Sequence, residues 1–109
     1  MREATGFSVV PPDATVDGAV DAGYRPTVAR VRELAAGDRP VLVRCAPPGE
    51  AGPGREPGPA ETIAAVVVYA WSGARVFATG HPREVGQALD MVASISGVRP
   101  PAVARRGLV

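Results

Sequence analysis

Two short apolar runs, each lying between segments of helical periodicity, constrain the fold of this chain more than any other feature. The runs are PVLVRC at residues 40–45 and ARVFA at residues 74–78. Their β-branched and aromatic residues, bounded by Pro and Gly, predict short buried strands. Strands that alternate with helices form parallel sheets, because each helix carries the chain back to the start of the next strand. The sequence therefore predicts an α/β fold.

Three segments carry the helical pattern, which gives the order α-β-α-β-α, with a possible short N-terminal strand at FSVV. The first helix is expected from about Arg25 to Gly37, the second over 59–72, and the third over 82–96, ending at Gly97. The second segment is apolar almost all round. One face holds Ile63, Val66, Val67, Ala70 and Trp71, and Ala64, Ala65 and Val68 extend it. Such a helix needs cover on more than one side, and we expect Trp71 to pack in the core or in an interface.

The chain has 109 residues, which fits one small domain. Residues 1–24 are expected to form an irregular N-terminal segment, and residues 25–109 a fragment built of βα units. A closed eight-stranded barrel needs about 250 residues, so we expect only part of a barrel or a small open layer.

The stretch between the two apolar runs is rich in residues that interrupt regular structure. Five Pro and four Gly fall between Ala46 and Ala60. This composition predicts a long surface loop at residues 46–59, with Glu50, Arg55 and Glu56 exposed to solvent.

Charge and composition exclude several classes of function. All twelve basic residues are Arg, they are spread along the chain, and the net charge is +1, so we expect no nucleic-acid partner. No apolar run reaches the roughly 18 residues that span a bilayer, and no targeting signal is evident, so we expect a cytoplasmic protein without a membrane partner. The chain contains no Lys and no Asn, which excludes a Schiff-base lysine and a lysine phosphate clamp.

The turn after the second apolar run is the candidate binding site. His81 lies where a strand ends and a helix begins, and Arg83 lies in the first turn of that helix. Free backbone N–H groups at such a position favour anions, although a solvent-exposed loop histidine fits the same sequence. Cys45 has no neighbouring base, which predicts a buried apolar residue rather than a nucleophile. Arg44 and Arg75 are expected at strand ends or edges, with side chains that reach solvent.

The run GARVFATGHPREVGQALDMVASISGVRPP, with RPVLVRCAPPG upstream, resembles the C-terminal end of the dihydropteroate synthase, or pterin-binding, family. The similarity covers residues from about 27 to the end of the chain. In that family the penultimate strand is typically a PVLVG run followed by Ser-Arg-Lys. The last strand is GARIVR, followed by one residue and a His. The resemblance implies a fragment of a TIM-barrel transferase of folate biosynthesis, an enzyme family that uses Mg²⁺.

The functional residues of the family do not carry over to this chain. The Ser-Arg-Lys segment falls on Cys45, Ala46 and Pro47, and the Arg-x-His pair falls on Ala78 and Gly80, with His81 one position late. The asparagine and carboxylates of the family's N-terminal half have no counterpart in a chain of this length. The resemblance therefore implies no catalytic residue, no metal ligand and no cofactor site in this chain, and leaves His81 and Arg83 as weak substrate-binding candidates.

Two functions remain. In the first, the chain is inactive alone and serves as an interaction module or partner subunit. In the second, a second chain completes a dihydropteroate synthase. Dimers of the family form through helices near the C-terminal end of the barrel, so we expect self-association or a synthase-like partner chain at residues 59–72 and 82–96. The missing lysine and Arg-x-His pair favour the first function.

Overall fold

A computed structural model of the chain describes residues 2–4 and 6–96. The strands are β1 (Arg2–Ala4), β2 (Phe7–Val10), β3 (Val20–Tyr24), β4 (Val41–Arg44), β5 (Pro48–Gly49), β6 (Gly52–Pro53) and β7 (Val76–Ala78). The helices are α1 (Val28–Ala35), α2 (Pro59–Ser72) and α3 (Pro82–Ser96). The expected helix end at Gly97 and the basic tail lie outside the described residues.

Five strands form one sheet in the order β1-β2-β7-β4-β3. β2, β7, β4 and β3 are parallel, and β1 is antiparallel to β2. Phe77 on the central strand β7 lies between Val9 on β2 and Val43 on β4. β5 and β6 form a separate two-stranded hairpin. The mixed α/β architecture with a parallel sheet agrees with the predicted fold class.

The main core lies between the sheet and the three helices. Alternate strand residues, such as Phe7, Val43 and Phe77, face Val66 of α2 and Leu89 of α3 in this cluster, and all five side chains are buried. α2 packs between α1 and α3, which also explains why its sequence is so apolar.

The opposite face of the sheet carries a smaller apolar cluster. Val10, Leu42, Val76 and Ala78 pack there against the connection between β2 and β3, which contributes Ala14, Val16 and Ala19. This connection runs from one side of the parallel strands to the other without a helix. Arg44 holds it in place, donating to the carbonyl oxygens of Pro12 and Ala14 and pairing with Asp21 Oδ2 at 3.0 Å.

Local sequence explains the helix ends. The Thr27 hydroxyl accepts a hydrogen bond from the Arg30 N–H and caps the start of α1. Pro59 begins α2, and Gly73 ends it in the left-handed conformation with φ 117°.

Several expectations need correction. The N-terminal segment is not irregular, since it contributes β1, β2 and β3. β2 confirms the possible strand at FSVV. β1 and β3 were not predicted, because β1 has only three residues and β3 pairs with β4, which lies beyond α1 in the chain. α1 is shorter than predicted because its first turn begins only after the Thr27 cap. The proline-rich loop contains the β5–β6 hairpin.

Trp71 does not pack in the core, because 54% of its surface is exposed. The buried positions of α2 are Thr62, Val66, Ala70 and Ser72, so the inward face is rotated from the predicted one. Arg44 ends β4, as predicted, and its side chain is 24% exposed, although its guanidinium also anchors the β2–β3 connection. The Arg75 guanidinium lies 5.0 Å from the centre of the Phe7 ring. Within residues 2–4 and 6–96, no helix combines the length and apolar character needed to cross a membrane.

Candidate functional site

The candidate site lies where β4 and β7 end. Because the strands are parallel, their carboxyl ends meet at the same edge of the sheet, a position at which α/β proteins commonly bind ligands. Cys45 follows β4, and Thr79, Gly80 and His81 follow β7. The Cys45 N–H donates to the Ala78 carbonyl oxygen and aligns the two strand ends.

The centre of this edge is occupied by the Glu56 carboxylate, whose side chain is only 10% exposed. Its Oε1 accepts the Gly80 N–H at 2.7 Å, and its Oε2 accepts the Thr79 hydroxyl at 2.5 Å. The Thr62 hydroxyl of α2 lies 3.4 Å from Oε2 and 3.1 Å from the Pro57 carbonyl oxygen. The turn before α3 therefore does hold an anion, and that anion belongs to the chain itself.

His81 joins the same cluster. Its backbone N–H donates to Thr79 Oγ1 at 2.9 Å, and its ring Nε2 lies 2.9 Å from the Pro57 carbonyl oxygen. Because a carbonyl oxygen only accepts, this contact assigns the proton to Nε2. Glu56 Oε2 lies 3.8 Å from the same nitrogen. Arg83 is exposed on the first turn of α3 and lies outside this group of contacts.

Cys45 is partly exposed and lies close to Glu56 and Thr79 of this cluster. Burial, which penalises the thiolate, raises its pKa to about 12, and the nearby Glu56 charge adds to the effect, while a hydrogen bond with Thr79 opposes it. The thiol is therefore protonated at neutral pH, which agrees with the expected apolar role and not with a nucleophile.

A cleft of about 310 Å³ opens beside Cys45, between the end of β3, the end of β4 and the first turns of α2. Its walls include Tyr24, Arg25, Pro57 and Tyr69. Arg25 has a positive φ of 51°, uncommon for a residue with a side chain. The Tyr69 hydroxyl donates to the Pro26 carbonyl oxygen at 2.7 Å, and burial raises the Tyr69 pKa above its usual value.

Sequence reasoning identified one residue of the cluster and missed three. His81 was a candidate, whereas Glu56 was expected to be exposed, and Thr62 and Thr79 were not considered. The Thr-Gly pair between a strand and a helix start is a usable signal, because both residues offer donors there. Nothing around Glu56 in the sequence indicates burial.

The described residues contain no group of three or more His, Cys, Asp or Glu side chains placed to hold a metal ion. Comparison of the chain with family models, with curated proteins and with solved structures found no match. Functional inference therefore depends on the sequence motifs and on the geometry of the described residues.

Proposed function

We propose that the chain is a dihydropteroate synthase-like protein that is non-catalytic alone and acts as an interaction module, through self-association or with a synthase-like partner. The contact surface consists of α2 and α3. Each step of this proposal depends on a separate feature of the chain.

The order of the strands supports the relationship to a barrel. β3, β4 and β7 are sheet neighbours in chain order, and α1 and α2 connect them. Successive βα units of a TIM barrel have this arrangement, with parallel neighbouring strands and helices on one face. Together with the GARVFA and PVLV runs, the topology favours a fragment of three such units.

The exposed apolar side chains of α2 and α3 carry the proposed role. In the described part of the chain, every large hydrophobic side chain that is exposed lies on these two helices: Val68, Trp71, Met91 and Ile95. Both helices start at the carboxyl edge of the sheet and run back along it. These four residues therefore lie in the C-terminal halves of two neighbouring helices. Exposed apolar side chains on two neighbouring helices favour a protein contact site when they form a contiguous patch.

The chemistry of the candidate site supports a role without catalysis by this chain alone. The lysine of the family's Ser-Arg-Lys segment is absent, and the arginine of its Arg-x-His pair is replaced by Ala78, which is fully buried. The carboxyl edge is filled by Glu56. The described residues offer no carboxylate cluster for Mg²⁺, and the chain has no asparagine, so they do not fit the family's metal.

The association is tested by sedimentation velocity of the purified chain over a range of micromolar concentrations. We expect the wild-type chain to sediment as a dimer or larger species. A Met91→Glu or Trp71→Glu chain should sediment as a monomer, because a charge in an apolar contact is desolvated without a partner. Affinity should fall at least about tenfold.

Ala29→Glu is the matched control, since it adds the same charge at an exposed position on α1. This variant should associate as the wild type does. Circular dichroism of each variant checks that the fold is retained. A wild-type chain that stays a compact, folded monomer throughout the range would contradict the interaction-module proposal.

Neither the interaction module nor the alternative, a transferase completed by a second chain, gives this chain transferase activity on its own. We expect no condensation of a pterin pyrophosphate with p-aminobenzoate above the level of a heat-inactivated sample, with or without Mg²⁺. The measurement is product formation followed by chromatography. Turnover that persists through further purification would show that this chain carries the missing chemistry itself.

A further inference from the structure

The segment at residues 46–58 is closed over the sheet edge although its composition favours an open loop. Four Pro and four Gly fall within it, and its hairpin residues are exposed. Glu56 near its end is nevertheless buried and bound. Glycine-rich chain is costly to order, so the closed position requires specific contacts.

These contacts come from Glu56 and Pro57, near the end of the segment. The Glu56 carboxylate accepts hydrogen bonds from Thr79 and Gly80 at the start of α3. The Pro57 carbonyl oxygen accepts from the His81 ring and from Thr62 of α2. Hydrogen bonds to a carboxylate are roughly twice as strong as neutral ones, so Glu56 is the principal contact.

Glu56 and Pro57, at the end of the segment, lie beside two other features. Pro57 forms part of the wall of the cleft of about 310 Å³. Cys45, which lines the same cleft, is close enough to Glu56 and Thr79 to interact with both. Cys45 is only partly exposed. Movement of Glu56 and Pro57 away from this edge would therefore expose more of the thiol and widen the cleft.

We propose that Glu56 is a latch whose hydrogen bonds to Thr79 and Gly80 hold the end of the 46–58 segment against Cys45 and the adjoining cleft, and whose release opens this end locally. Local opening of a loop with few apolar contacts costs less than global unfolding. The latch does not depend on the role proposed for α2 and α3, because it lies at the opposite end of both helices.

Alkylation of Cys45 measures the opening directly, since it is the only cysteine in the chain. The full chain is treated with iodoacetamide, and the rate is followed by intact mass. We expect Glu56→Ala to raise the rate at least about tenfold. Glu50→Ala, which removes the same side chain from an exposed position in the same segment, should change it less than about twofold.

The Thr79→Val variant distinguishes local opening of the segment from a change in the reactivity of the Cys45 thiol. Valine has a similar shape but no hydroxyl donor, and the Glu56 charge stays in place. Loss of the Thr79 hydrogen bond removes an interaction that lowers the thiol pKa, so the chemical effect alone would slow alkylation. A faster rate in this variant therefore reports opening. We expect an increase of about threefold or more.

Three results would overturn the latch. One is a Thr79→Val chain that is folded but alkylated no faster than the wild type, which would assign any effect of Glu56→Ala to charge. Another is an alkylation rate that rises with urea concentration as steeply as global unfolding does, since local opening is nearly independent of denaturant. The third is loss of a cooperative unfolding transition in both variants, which would make Glu56 a requirement for folding.

Discussion

Replacing Phe77 with alanine is expected to lower the free energy of unfolding by about 3–5 kcal/mol, the largest loss of any substitution considered. Phe77 lies on the central strand, is fully buried, and contacts the Phe7 ring with centroids 6.5 Å apart. Truncation of a buried Phe costs about 3–5 kcal/mol, from lost burial and from the cavity that remains. A domain of this length has roughly 5–15 kcal/mol of stability, so the loss is a large share of the total.

Urea unfolding followed by circular dichroism measures this loss. Phe77→Leu is the control, because it keeps an apolar side chain in the same place and should cost less than half as much. Equal urea midpoints for the Phe77→Ala and wild-type chains would show that the Phe77 side chain of β7 is not central to the core.

Replacing Gly73 with alanine is expected to have the second largest effect. Gly73 ends α2 with φ 117°, a conformation that side-chain residues rarely adopt, and an added Cβ would lie 2.6 Å from the Ala35 Cβ of α1. Backbone strain and overpacking together cost about 2–4 kcal/mol. The expected result is a clear fall in the urea midpoint.

Two further variants distinguish the backbone strain at Gly73 from the close contact with Ala35. Gly58→Ala is the matched control, since Gly58 has φ −62° and open space around it, and it should unfold within about 1 kcal/mol of wild type. Ala35→Gly in the Gly73→Ala chain removes the contact but not the strain, so it should restore part of the stability. No restoration would show that the close approach to Ala35 does not contribute.

The helices and the two central strands were predictable because their signals are local. Apolar periodicity identified α2 and α3, and the β-branched runs identified β4 and β7. Gly73 was recognisable as a helix end from its position after the last periodic residue. These features depend on residues within a few positions of each other, which is the range over which a sequence pattern has meaning.

The sheet edges were not predictable in the same way. β3, with the sequence VDAGY, contains Gly and Asp, which are depleted in strands, and it forms only because β4 lies beside it. The β2–β3 connection crosses the sheet because Arg44 reaches the Pro12 and Ala14 carbonyl oxygens, 30 or more residues away. Contacts over such separations depend on the assembled sheet.

In the candidate site, too, local sequence predicted one part and only the folded structure decided the other. The sequence alone determined that His81 lies where a strand ends and a helix begins, a position that favours anions, and that the chain lacks lysine and asparagine. Only the tertiary structure decided what the donors bind, because Glu56 is 23 residues from Thr79 and lies in a segment whose composition indicates exposure. Folding brings the segment to the edge where β4 and β7 end, and burial there makes the carboxylate a partner for Thr79 and Gly80. A hydrogen bond between distant residues is a property of the folded chain, and local sequence does not encode it.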